Sequence, residues 1–141
     1  MGRYCRIALF STLFFLVLAI PAGAEPISKE QLREGADNYL ELLDQGRYAE
    51  AWQAMSPIYR AIEPQAQWHN RQQAIRDAYG ALEFRDLVRV EFRDHYTLSP
   101  DGQYIIVQFK TSFQNKTATR ETVVIDCSTS TECSIREYII R

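Results

Sequence analysis

The segment from Gln103 to Asp126 constrains the fold more than any other part of this 141-residue chain. Its two flanks, YIIVQFKTSF and TRETVVID, are rich in β-branched and aromatic residues that alternate with polar ones, and a polar stretch, QNKT, separates them. Alternation with a period of two is typical of half-buried strands, and the polar stretch supplies a turn. The segment therefore predicts an antiparallel hairpin.

The register of this hairpin follows from its apolar side chains. A loop of three or five residues gives an even register, in which the apolar residues of both strands share one face: Ile105, Val107, Phe109, Phe113, Val123, Ile125 and Cys127. A two-residue loop would split this set between the two faces, which is costly when one face is buried. The even register also places Glu121 on the apolar face, near Thr111. Such a carboxylate needs a cation or several hydrogen bonds, or its pKa rises until it is neutral.

The chain before the hairpin predicts helices, because apolar residues recur there at spacings of three and four. Three helices are expected, over residues 28–46, 48–56 and 64–80, and residues 58–62 could add one further turn. Ser28 and Gln31 form a capping-box pattern at the start of the first helix. The expected core-facing residues are Leu32, Ala36, Tyr39, Leu40, Leu43, Tyr48, Ala51, Trp52, Met55, Trp68, Ile75 and Tyr79.

From residue 82 the apolar period changes to two, which predicts a strand over 82–92. Its even positions are mostly apolar and its odd positions, Arg85 among them, are mostly charged, so we expect one dry and one wet face. The last strand, 134–140, is apolar on both faces, with Ile135 and Ile139 on one and Tyr138 and Ile140 on the other. This order predicts an α+β fold with three N-terminal helices on one face of a four-stranded antiparallel, curved sheet.

The first 24 residues have the pattern of a cleaved secretory signal peptide. A basic start is followed by an apolar run over 7–20 and by small residues that end at Ala24, so cleavage is expected between Ala24 and Glu25. A retained membrane anchor is the alternative. The apolar run is shorter than the roughly 20 residues that a spanning helix requires. We therefore expect a periplasmic or secreted single domain over residues 25–141, with no stable membrane insertion once the signal is removed.

Charge and cysteine usage agree with export. The whole chain has a formal net charge of -2, and the signal contains two arginines and no acidic residue, so the mature chain has −4. This balance argues against nucleic acid or an anionic membrane surface as the main partner. Cys5 leaves with the signal, and Cys127 and Cys133 face each other if the even register continues, which predicts a structural disulfide. The alternatives, a redox-active or metal-binding pair, are disfavoured because few further ligands lie nearby.

Several segments together carry a resemblance to a known family. They are LLDQGRYAEAW at 42–52, Trp68, RDAYGALEFR at 76–85, SPDGQY at 99–104, FKTSFQNK at 109–116, RETVVI at 120–125 and the terminal YII. In their order and spacing, residues 39–140 resemble the exported bacterial family catalogued as domain of unknown function 4019. The chain departs from that family at Cys133, where tryptophan is usual, and at Glu137, where glycine is common. The resemblance implies export and no assigned activity, and the element order is similar to the nuclear transport factor 2-like cone.

Few residues offer chemistry. His69 and His95 lack partners in any recognisable pattern, so no catalytic residue, metal site or cofactor is predicted. Glu121 with Arg76 and Arg85 is the most interesting constellation. It is either a structural ion pair that docks helix on sheet, which we favour, or the polar floor of a ligand pocket lined by Tyr39, Trp52, Trp68 and Phe109.

The sequence thus leads to two hypotheses for function. The first is a non-catalytic binding or interaction module of the cell envelope, with an unknown protein or small-molecule partner and a possible homodimer through the outer sheet face. The second is a small cone-pocket hydrolase or isomerase that uses Glu121 as its acid or base.

Overall fold

The computed structural model describes residues 28–97, 99–128 and 133–141. Its elements, in chain order, are α1 (Lys29–Asp44), α2 (Tyr48–Ala54), α3 (Pro57–Ile62), α4 (Gln65–Tyr79), β1 (Leu82–Arg93), β2 (Tyr104–Phe113), β3 (Lys116–Asp126) and β4 (Ser134–Ile140). The strands form one antiparallel sheet in the order β1-β2-β3-β4. The α+β class is confirmed, with one helix more than the three predicted. The predicted signal peptide, its predicted cleavage site and Cys5 lie outside the described residues.

Helix α1 begins as its sequence predicts. The Ser28 hydroxyl accepts a hydrogen bond from the Gln31 amide at 3.2 Å, and the Gln31 side chain accepts one from the Ser28 amide at 2.8 Å. This reciprocal capping satisfies two amides that the first turn leaves without helical partners. All five side chains expected to face the core are buried: Leu32, Ala36, Tyr39, Leu40 and Leu43.

The break between α2 and α3 covers one edge of the sheet. Pro57 begins α3, and the Ser56 hydroxyl caps it by accepting from the Tyr59 amide. The amide of Ser56 donates to the Ile135 carbonyl at 2.7 Å, so this segment runs beside the last strand. The residues 58–62 are therefore a separate helix rather than one further turn.

Helix α4 buries a different stripe from the one predicted. The buried side chains are Trp68, Gln72 and Arg76, spaced four residues apart, whereas Ile75 and Tyr79 are only partly buried. The prediction assumed that the apolar side chains of this helix face the core. The helix instead packs over a cluster of charged side chains to which its own Arg76 belongs.

The hairpin of β2 and β3 has the even register that the sequence predicts, but its turn differs from the predicted one. Ile105 pairs with Ile125 and Val107 with Val123, yet the strands are joined by the two-residue turn 114–115. A bulge that contains Ala118, at φ 55°, then adds one residue to β3 and restores the even pairing. The expected three- or five-residue loop was wrong because a bulge achieves the same register.

Strand β1 does not keep one dry face along its length. Val90 pairs with Val107 on the helix side, but a bulge at Val88 reverses the alternation, so that Arg85 pairs with Thr111 and faces the helices. Phe84 and Val88 are 45% and 55% exposed. The predicted face assignment is therefore wrong for the first half of this strand.

Strand β4 is also bulged. Ile135 pairs with Ile125 and Tyr138 with Val123, which makes Arg136 the extra residue. Ile135 and Tyr138 therefore lie on the same face, and the predicted pairing of Ile135 with Ile139 on one face is wrong. Ile139 instead lies on the opposite face.

The main core lies between the helices and one face of the sheet, here called the inner face. It unites the buried side chains of α1, α2 and α4 with Ile105, Val107, Phe109, Val123, Ile125 and Ile135. Among the residues that the structure describes, no helix covers the opposite, outer face. In the described residues, no helix combines the length and the apolar character needed to cross a membrane.

A disulfide joins Cys127 to Cys133 at the turn between β3 and β4, as the sequence predicts. The S–S distance is 2.02 Å and the two Cα atoms are 4.4 Å apart. The bridge links the end of β3 to the start of β4, and residues 129–132 lie outside the described part of the chain.

Candidate functional site

Glu121 lies on the inner face of β3 and is 0% exposed. One carboxylate oxygen, Oε2, accepts hydrogen bonds from the Thr111 hydroxyl and from Arg85 Nε, each at 2.7 Å. The other, Oε1, accepts from the Tyr138 hydroxyl at 2.7 Å and from Arg76 Nη2 at 3.2 Å. Four donors from four different elements thus occupy this one carboxylate.

Asp44, the last residue of α1, is a second carboxylate in the same cluster. Arg85 Nη1 donates to its Oδ2 at 2.7 Å, and Arg76 Nη2 lies 3.2 Å from its Oδ1. Asp44, Arg76, Arg85 and Glu121 form the buried charge cluster. Their side chains are 15%, 9%, 11% and 0% exposed, and their formal charges cancel.

The contacts hold Glu121, Arg76 and Arg85 in their charged forms. Burial alone would raise the pKa of Glu121, but the charge and hydrogen bond of Arg85, the charge of Arg76 and the Thr111 hydroxyl outweigh it and lower the pKa. Burial likewise opposes the charge on Arg76, yet the nearby Tyr138 and the two carboxylates raise its pKa. Burial and the charge of Glu121 raise the pKa of Tyr138 well above its ordinary value. Tyr138 is therefore a fixed hydrogen-bond donor.

The position of Arg76 depends on how the hairpin meets α4. The Asn115 and Gln114 amides donate to the carbonyls of Tyr79 and Ala81, both at 2.9 Å. These bonds fasten the hairpin turn to the end of the helix. The Arg76 guanidinium consequently lies over two rings, 5.2 Å from that of Phe113 and 5.7 Å from that of Tyr138.

The aromatic residues that could have lined a pocket above Glu121 pack against each other and the rest of the core. Trp68 is 1% exposed, and its ring lies 5.5 Å from that of Trp52. Tyr39 is 2% exposed and donates to Met55 Sδ at 3.1 Å. Phe109, at 1% exposed, lies opposite Glu121 in the sheet. A cavity of about 370 Å³ borders the cluster at Asp44 and Arg76, but neither Glu121 nor these aromatic side chains line it.

The two histidines lie away from the buried charge cluster. The ring of His69 packs 4.9 Å from that of Tyr48. His95 Nδ1 lies 2.7 Å from Asp101 Oδ1, and both side chains are largely exposed to solvent. Within the described ranges, no three His, Cys, Asp or Glu side chains converge as a metal site would need.

Three basic residues lie side by side on the outer face of the sheet. Lys110 on β2 pairs directly with Arg120 on β3. Arg120 and Arg141 exchange backbone hydrogen bonds of 2.8 and 3.0 Å. Lys110, Arg120 and Arg141 form the basic row. All three are exposed, and none forms a salt bridge with another described residue.

The basic row borders a groove of about 670 Å³ on the outer face. At its other end, Tyr96 from the loop after β1 packs 5.8 Å from the ring of Tyr104, and its hydroxyl donates to Glu137. The groove lining contains four cationic side chains and no carboxylate; it comprises Val88, Arg89, Tyr96, Ile106, Gln108, Lys110, Ala118, Thr119, Arg120, Thr122, Val124, Ile139 and Arg141.

Comparison with protein families decides the relationship of this chain. The family described as "Protein of unknown function (DUF4019)" matches residues 35–135, which is more than half of the sequence. The chain belongs to the DUF4019 family. Comparison with curated proteins and with solved structures found no match. The resemblance predicted from the sequence is thus confirmed at the level of the family.

The DUF4019 domain contains site residues that its sequence did not single out. One feature of the sequence could have identified Asp44. It is an acidic residue in the last turn of a helix, where the helix dipole is negative, and α1 has no basic residue in that turn. An acid in such a place indicates a cationic partner elsewhere. Tyr138 and the basic row gave no such signal, because their faces are set by bulges and by pairing across three strands.

Proposed function

We propose that this DUF4019 domain is an exported, non-catalytic binding module of the cell envelope that holds its partner on the outer sheet face. The observation that carries the proposal is the open groove beside the basic row, whose three cations form no salt bridge among the described residues. A groove of this volume falls within the usual range of small-molecule sites. Its apolar and basic side chains offer a partner both contact area and charge.

The interior supports binding over catalysis. A general base must come within hydrogen-bond reach of its substrate. Glu121 is fully buried, both its oxygens are occupied, and its lowered pKa makes it a weak base. A hydrolase or isomerase built on Glu121 would have to open the core and displace two arginines. We therefore place the buried charge cluster among the scaffolding contacts of the fold.

Export is part of the proposal. Structural disulfides form in oxidising compartments, and the bridge between Cys127 and Cys133 suits a periplasmic or secreted location. The first 24 residues have the pattern of a signal peptide. Mass spectrometry of the protein from a periplasmic fraction should give a chain that starts at Glu25. A chain that retains residues 1–24 would contradict cleavage there. We also propose that the sheet is curved, as in a cone-like fold.

The binding surface can be tested by two-dimensional amide NMR. Fractions of envelope small molecules and lipids would be added to the isotope-labelled protein. We expect shifts to cluster at outer-face amides such as Gln108 and Thr122, and the amides around Glu121 to stay unchanged. Shifts confined to Glu121 and Thr111 would overturn the proposal and favour an interior site.

A homodimer through the same face is a second candidate, because Val88 and Ile139 present apolar surface there. A two-fold interface brings the same patch of both copies together, so it would place one basic row near the other. That repulsion makes a different partner more favourable than a second copy. Light scattering that shows only monomer at high concentration would remove the dimer.

A further inference from the structure

We infer that the outer-face groove binds single-chain anionic lipids, with the phosphate or carboxylate head group at the basic row and the alkyl chain along the apolar floor. The inference rests on the proposed function and names the ligand class for the same groove. It is carried by three features: the row of like charges, the apolar floor behind it and the closed far end.

The basic row is unfavourable for the sheet by itself. Like charges directly opposite each other on neighbouring strands destabilise the pair, and here three follow one another across β2, β3 and β4. Asp86 pairs with Lys110 from the β1 side, but the two form no salt bridge. An anionic head group would relieve this repulsion and accept charge-assisted hydrogen bonds from the row.

The groove changes from basic to apolar along the strands. Lys110, Gln108 and Ile106 follow one another on the outer face of β2, and the first and last are four residues apart, or roughly 13 Å. Ile106 and Val124 are only 9% and 0% exposed, because they pack in a small cluster with Tyr104 and Tyr96, and they form the covered base of the groove. Ile139 and Val88 complete the apolar floor on the outer strands. The groove therefore has a charged end and an apolar end, as a head group and an alkyl chain require.

The far end is closed by contacts that cross the outer face. Tyr96 packs on Tyr104 and donates to Glu137, and the Arg136 guanidinium donates to the Ser99 hydroxyl at 3.0 and 3.1 Å. The loop after β1 is thus tied to β4 over the end of the apolar floor. A bound chain would stop at Tyr96, which limits its length.

The lining also disfavours other ligands. Arg89 adds a fourth cation, which donates to Gln108 at 2.9 Å and lies 3.4 Å from Glu91, and no acidic side chain lines the groove, so cationic amphiphiles should not bind. An acidic peptide would bring backbone donors and acceptors onto the apolar floor, where they would lose hydrogen bonds to water without replacement. An alkyl chain has no such groups.

The inference can be tested by calorimetric titration of the purified protein with decyl phosphate below its micelle concentration. We expect saturable binding of one molecule, while decyltrimethylammonium gives none. Decanoate in a parallel titration distinguishes a carboxylate from a phosphate head group. Inorganic phosphate should bind much more weakly than decyl phosphate, because it leaves the apolar floor empty.

The double variant Lys110→Gln/Arg120→Gln should weaken decyl phosphate binding by at least about tenfold, because it removes two of the three cations that would contact the head group. The matched control, Lys29→Gln/Arg60→Gln, removes two positive charges from the helical side and should leave binding within about twofold. A second variant, Thr122→Glu, places a carboxylate in the middle of the groove and should also abolish binding.

Equal binding of decyltrimethylammonium, or an equal loss in the control variant, would overturn the inference. The proposed function would fail separately. If decyl phosphate and decanoate do not bind but other envelope fractions shift outer-face amides, the ligand class is wrong and the binding module stands. If no fraction shifts those amides, both proposals fall.

Discussion

On the inner face of the sheet, Arg76 and Arg85 are buried and each contacts both Asp44 and Glu121. On the outer face, Lys110, Arg120 and Arg141 are exposed and form no salt bridge with a described residue, although Asp86 is the strand partner of Lys110. Basic residues on the inner side are therefore buried and paired with carboxylates, whereas those of the basic row are exposed and form no salt bridge with a described residue. A buried cation that lost its partners would be left unpaired at high cost, whereas an exposed row of cations costs the fold only mutual repulsion.

This difference suggests which charged residues stabilise the fold and which are available to bind a partner. Charges that the fold must neutralise to remain folded belong to the scaffold. Charges that the fold tolerates without neutralising them are free to meet a ligand. By this criterion the inner cluster holds α1, α4 and the sheet together, and the outer groove is the proposed binding surface.

The largest expected effect comes from Glu121→Gln. This change leaves Arg76 and Arg85 with Asp44 as their remaining acidic partner in the cluster, so the free energy of unfolding should fall by about 3–5 kcal/mol at neutral pH. Urea denaturation followed by tryptophan fluorescence measures it. The control, Glu34→Gln on the exposed side of α1, should change it by less than about 0.5 kcal/mol.

The pH dependence of that difference follows from the lowered pKa of Glu121. A carboxyl group whose pKa is lower in the folded than in the unfolded state stabilises the fold above its ordinary value of 4.5. That contribution is lost as the pH falls through the folded value. The stability gap between wild type and Glu121→Gln should therefore shrink as the pH falls below 4.5. A gap that stays constant between pH 7 and the acid range would show that Glu121 is not held in its charged form.

Tyr138→Phe should have an intermediate effect. It removes one hydrogen bond to the buried carboxylate of Glu121, and bonds to charged groups typically contribute about 1.5–3 kcal/mol. Tyr79→Phe is the matched control, because the Tyr79 hydroxyl makes no hydrogen bond to the described residues. Equal losses in the two variants would mean that ring packing, and not the bond to Glu121, is what Tyr138 provides.

Loss of the disulfide should cost about 2 kcal/mol, because the bridge spans only six residues and restricts the unfolded chain modestly. Cys127→Ser/Cys133→Ser should match the reduced wild-type protein in urea denaturation. Since the bridge belongs to neither the inner cluster nor the basic row, decyl phosphate binding of the folded variant should be unchanged. Weaker binding in this variant would show that the shape of the groove depends on the disulfide between β3 and β4.

The sequence predicted the elements better than the faces of the strands. Capping at Ser28 and the apolar spacing of α1 are local signals, so the start and the buried side of that helix were correct. The register of the hairpin was also correct, because one apolar face of seven residues admits only one solution. The helix count was short by one, since Pro57 permits either a kink or a new helix start.

The errors trace to bulges. Val88, Arg136 and Ala118 each occupy a bulge, and none of them is the glycine that often marks such a site. A single extra residue reverses the alternation beyond it, which turned Arg85 inward and moved Tyr138 beside Glu121. The basic row could not be predicted from the sequence either, because its members are 10 and 21 residues apart and meet only through strand pairing.

The most direct test compares one arginine from each face. Urea denaturation of Arg85→Gln should show a loss of about 3–5 kcal/mol in the free energy of unfolding, because Asp44 and Glu121 lose a buried partner. Arg120→Gln should show no loss and a gain of up to about 1 kcal/mol, because it relieves repulsion in the basic row. Similar losses in both variants would contradict the assignment of the inner charges to the scaffold and the outer charges to binding.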